Sequence, residues 1–202
     1  MSATAAPVAS DRSDFRTVTV GGAKIGVATA VAVVAFLAAS RLVPIVAGLR
    51  GGVKSLVVLA AGMAVAFLPA TWTAARSTEG IAGAAAIGLV GTVVFSAIDI
   101  ALLRPFKAYP WTWDAVGGGS TWWYLPIWWM LGTFAAWMGG VVTAASGEAT
   151  LARRTLPAVA GTIIVAAIGR LAGVPVDVSV LTGAAFTLVL AALALVALAR
   201  KG

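Results

Sequence analysis

The chain has no cysteine and no histidine. The first absence excludes disulfides, thiolate metal sites, iron–sulfur clusters and thiol catalysis. The second removes the usual haem ligand, the commonest metal ligand and the commonest general base. Charge is scarce too. Only 10% of the 202 residues are charged, against roughly 25% in a soluble domain. There is no acidic cluster for a divalent ion. Gly117-Gly118-Gly119 is not followed by Lys-Ser/Thr, so it reads as a flexible loop and not a phosphate cradle. No protein-held cofactor is expected. A bound lipid, quinone or carotenoid stays open.

Apolar residues fill the space left by these absences. They make up 61% of the chain, and the mean hydropathy is +1.02. They fall into six long runs: Ile25–Val46, Val53–Ala75, Gly80–Leu103, Thr121–Ala145, Leu156–Val174 and Val178–Ala199. Each run is close to the ~20 residues a helix needs to cross a bilayer core. The backbone has no water partner there, so the runs must be helical. A β-barrel would need alternating segments, and these runs do not alternate. The expected fold is all-α, a polytopic transmembrane helix bundle of about six spans with short loops. Residues 1–24 read as a polar tail and 25–202 as a single six-helix domain. The tail lacks the form of a cleaved signal, since it is long and carries Asp11 and Asp14.

Net charge is +7. In a soluble protein that would raise nucleic acid as a partner. Here the basic residues sit at helix ends, where they meet membrane lipids, anionic headgroups among them. Six spans put both termini on one side. Eight basic residues fall on that side and six on the other. The positive-inside rule then makes the termini cytoplasmic. The Ala-, Gly- and Val-rich style suggests a prokaryotic plasma membrane. Pro69 lies well inside the second span and is expected to bend it. The first, third and fifth spans each end in Arg followed shortly by Pro: Arg41 and Pro44, Arg104 and Pro105, Arg170 and Pro175. That pattern is read first as the ordinary Arg-then-Pro ending of a helix recurring by chance, and second as a worn repeat.

Two groups of residues are candidates for a site. The first is a polar track on the third span. Gly80, Ala84, Gly88, Thr92 and Ser96 recur at helical spacing, and Asp99 follows on nearly the same face. An acid roughly 6 Å inside a span end needs a partner or a task. Arg41 and Arg170 lie at similar depth on the same side and are its natural partners. The second group is aromatic. Seven of eight tryptophans crowd the third loop and fourth span. Trp111, Trp113, Trp122 and Trp123 fit an interfacial belt. Trp128, Trp129 and Trp137 lie deeper. Trp122, Trp123, Tyr124, Trp128 and Trp129 are the candidates for a surface that meets another subunit or a flat apolar ligand. Opposite them, Gly132, Ala136, Gly140 and Ala144 form a small-residue stripe, so the third and fourth spans should pack closely.

The function expected from these features is a non-catalytic integral membrane subunit of a larger complex, in contact with other membrane subunits. The alternatives are a small permease or channel using the polar track, and a membrane enzyme acting on lipid or quinone. No residue pattern assigns catalysis.

Overall fold

A computed structural model describes residues 12–44, 46, 48–103, 105, 124–147 and 149–200. These residues are all-helical, with no strand among them. The six helices are α1 (Phe15–Leu42), α2 (Leu49–Trp72), α3 (Thr78–Ile98), α4 (Tyr124–Ala145), α5 (Leu151–Leu171) and α6 (Val178–Ala199). A π-helical turn, Asp99–Leu103, extends α3. All six helices are long and apolar enough to cross a membrane. The chain is a multi-pass membrane helix bundle.

Local chemistry sets the helix ends. α1 starts well before Ile25, because the Asp14 side chain accepts a hydrogen bond from the Thr17 amide at 3.0 Å and caps the first turn. Residues 15–24 are therefore helix and not tail. Ser77, Thr150 and Asp177 cap α3, α5 and α6 in the same way. α5 closes on Gly173, whose φ of +73° admits glycine readily. There Val174 N–H donates to the Gly169 carbonyl and Gly173 N–H to the Arg170 carbonyl. This is the Schellman arrangement. α2 runs through the buried Pro69 to Trp72. The Thr73 amide and hydroxyl donate to the Pro69 carbonyl.

α2 is the hub. α1, α3, α4 and α6 all pack on it, and α5 only grazes it. Around α2 the others follow the order α1, α3, α4, α6, α5, and no substantial packing joins α5 back to α1. The ring is open on that side, where Leu56 of α2 is 68% exposed.

Small residues set the spacing, because lipid supplies no hydrophobic drive between helices. An added Cβ at Gly88 would strike the Gly132 carbonyl and lie 2.7 Å from Ala136 Cβ, which fixes the α3–α4 seam. One at Gly139 would strike the Ala66 carbonyl across the α2–α4 contact. One at Gly26 would come within 2.7 Å of the Gly91 carbonyl oxygen between α1 and α3. The bundle's interior is formed by Phe67, Ala66, Ile87, Ala136 and Leu190, all 2% exposed or less.

Candidate functional site

The residues of the polar track sit on one seam. Thr92, Ser96 and Asp99 are buried, Asp99 to 1% exposure. The Thr92 hydroxyl donates to the carbonyls of Gly88 and Leu89, at 3.2 and 2.9 Å. Ser96 donates to the Thr92 carbonyl at 2.7 Å. Both hydroxyls thus bond within their own helix. The Thr92 methyl abuts Gly132 of α4. The stripe forms a packed helix contact. Asp99 begins the π turn and is engaged there. Such turns occur frequently at functional sites.

The two arginines part company. Arg41 is exposed at the end of α1 and is engaged. Arg170 belongs to a different groove. It lines an apolar cleft of about 650 Å³ between α2, α5 and α6, with Leu59, Ile163 and Val178. α3 and α5 share no packed face, so this cleft lies away from Asp99. Ser55, which also lines it, has a buried hydroxyl with no hydrogen-bond partner among the described residues.

At the mouth of the same side, Lys54 Nζ lies 2.9 Å from the Asp177 carboxylate. Its ammonium also sits 5.0 Å from the Phe36 ring centre, tying α1 to α2. The Ser179 hydroxyl and then Lys54 hold the Asp177 carboxyl at about 2, below its usual 3.8. Asp177 is largely exposed, so this pair adds little stability.

The aromatic group is divided. Trp111, Trp113, Trp122 and Trp123 lie outside the described residues. Tyr124 opens α4. Trp128 meets Phe95 of α3 edge-on, centroids 5.7 Å apart. Trp129 and Trp137 are each 37% exposed. Trp137 meets Phe134 edge-on at 6.3 Å, on the outer surface of α4.

Sequence reasoning missed one feature. On the terminus side a cleft of about 830 Å³ opens between the ends of α4, α5 and α6. Arg153, Arg154 and Arg200 all line it. The Arg153-Arg154 pair was visible in the sequence. Its junction with Arg200 depends on α5 packing against α6.

The chain matches no protein-family model, no curated protein and no solved structure. The class rests on the architecture alone: six apolar helices in a multi-pass membrane bundle.

Proposed function

We propose that the chain is a non-catalytic integral membrane subunit, completed by a transmembrane helix of another membrane protein. The observation behind this reading is the unclosed ring about α2. A hub helix can be surrounded on every side, but here α1 and α5 share no substantial packing and Leu56 is left exposed. α5 is the least buried span, at 11% of its apolar window, and is held almost wholly by α6. A partner helix seated between α1 and α5 covers Leu56 and braces α5. The closed α3–α4 seam supports the same reading, because its hydroxyls are spent on helix carbonyls. The exposed Trp129, Phe134 and Trp137 offer a second contact surface to lipid, a quinone, a carotenoid or a subunit. The charge bias in the sequence favours cytoplasmic termini in a prokaryotic plasma membrane.

The absence of cysteine gives a clean test. Leu56→Cys and Leu188→Cys each carry a single thiol, labelled with a photoreactive maleimide in native membranes. Leu188 is 65% exposed on α6 and serves as the lipid-facing control. The Leu56 variant is expected to give an adduct with another membrane protein, and the control lipid adducts alone. Lipid adducts alone from Leu56, with a monomer in native mass spectrometry of the membrane extract, would refute the reading.

A second reading is a small permease working through Asp99. Its specific support is a carboxyl buried to 1% exposure at a π turn. In proteoliposomes, Asp99→Asn would abolish proton- or ion-coupled flux on this reading. Equal flux in wild type and variant removes Asp99 from it.

A further inference from the structure

The cleft at the terminus side has the make-up of an anion site. Arg153 and Arg154 stand in the first turn of α5, and Arg200 directly follows α6. All three line one cavity of about 830 Å³, a size that accommodates a small ligand. The described lining contains no acidic residue. Arg154 donates from one terminal nitrogen to the Gly147 carbonyl at 2.6 Å, which anchors the guanidinium. Its Nε is buried and has no hydrogen-bond partner among the described residues. Guanidinium groups bind phosphate oxygens through strong, often bidentate hydrogen bonds. The positive end of the α5 dipole adds to the attraction. The remaining wall is apolar, with Pro157, Leu193 and Val196.

We propose that this cleft binds a phosphate group, with the arginines on its oxygens and any attached hydrocarbon against Pro157, Leu193 and Val196. Its place at the helix ends and its apolar wall suit the phosphodiester headgroup of an anionic phospholipid. A small soluble phosphate shares the same chemistry. The inference does not depend on the subunit reading, because a monomer would bind equally well.

The experiment uses the full-length chain in phosphatidylcholine nanodiscs and in detergent. One arm adds phosphatidylglycerol to the nanodiscs. The other adds inorganic phosphate in detergent. Retained adducts are read by native mass spectrometry and thermal shift. Arg200→Gln, at an exposed helix end, should weaken binding about fivefold, and Arg153→Gln/Arg154→Gln/Arg200→Gln on the order of a hundredfold. Arg170→Gln, basic but at the other face, should leave it unchanged. Circular dichroism checks that each variant is folded. Loss confined to the phosphatidylglycerol arm identifies a lipid site, and loss in the phosphate arm a soluble-anion site. No binding in either arm, or binding untouched in folded arginine variants, overturns the proposal.

Discussion

Gly139 and Gly140 are neighbours on α4, yet an added methyl meets different surroundings at each. At Gly139 it strikes the Ala66 carbonyl oxygen and lies 2.5 Å from its carbon. At Gly140 its nearest neighbours are Ala84 Cβ and Ile81, all at 3.5 Å, which is ordinary contact. Overpacking costs about 1–3 kcal/mol, and an obstacle made of backbone belongs at the upper end. Replacing a helical glycine by alanine returns about 0.5–1 kcal/mol. Gly139→Ala should therefore lose about 2 kcal/mol net. Gly140→Ala should gain about 0.5–1 kcal/mol. The two variants then differ by about 3 kcal/mol, or on the order of a hundredfold in the unfolding equilibrium. Unfolding in mixed micelles of rising dodecyl sulfate content, followed by near-ultraviolet circular dichroism, reads this difference. Ala66→Gly should not rescue Gly139→Ala, because the obstacle is a carbonyl and not a side chain. A Gly139→Ala protein as stable as wild type, or less affected than Gly140→Ala, would show that α2 and α4 do not approach this closely.

Three further outcomes are expected. Gly26→Val should lower the unfolding midpoint by an amount equivalent to about 1–3 kcal/mol, since its Cβ lies within 2.7 Å of Gly91 and Val94. The Asp177 carboxyl should titrate near 2 by carbon NMR. Ser179→Ala should raise that midpoint more than Lys54→Gln does, because Ser179 is the larger cause. The folded value lies below the usual 3.8, so this group's small contribution is complete above pH 4 and fades as pH falls toward 2. Thr92→Val should change unfolding stability by only about 1 kcal/mol, because the hydroxyl bonds within its own helix and the methyl already fills the seam. A much larger loss would give that hydroxyl a role beyond packing.

Helix number and order were legible, because each span is a long apolar run and lipid forces such runs into helices. The α3–α4 seam was legible as well, from Gly88 on one helix and Gly132 and Ala136 on the other. Helix starts were less so. Hydropathy passes over a cap such as Asp14, and it discounts Arg153 and Arg154 although both are helical. Depth in the membrane could be counted along the chain, which put Asp99 and Arg170 level. Their direction around the bundle could not. Outside the small-residue stripes of α3 and α4, nearly every face of these helices is apolar, so nothing marks which neighbour each of the others meets. For that reason the hub role of α2, the separation of Arg170 from Asp99, and the meeting of three arginines emerge only from packing.

The pairing of α1 with α3 has a consequence for biogenesis. The tightest small-residue contacts of α1, at Gly22 and Gly26, are made with α3 and not with its successor α2. Ribosomes add about 5–20 residues per second. The end of α1 precedes the end of α3 by 56 residues, so α1 emerges about 3–11 s ahead of it. Through that interval the Gly22–Gly26 face meets acyl chains or the insertion machinery. Nascent chains too short for α3 to clear the ribosome should leave α1 free to be captured by a chaperone, and chains extended far enough past Ile98 to expose all of α3 should release it.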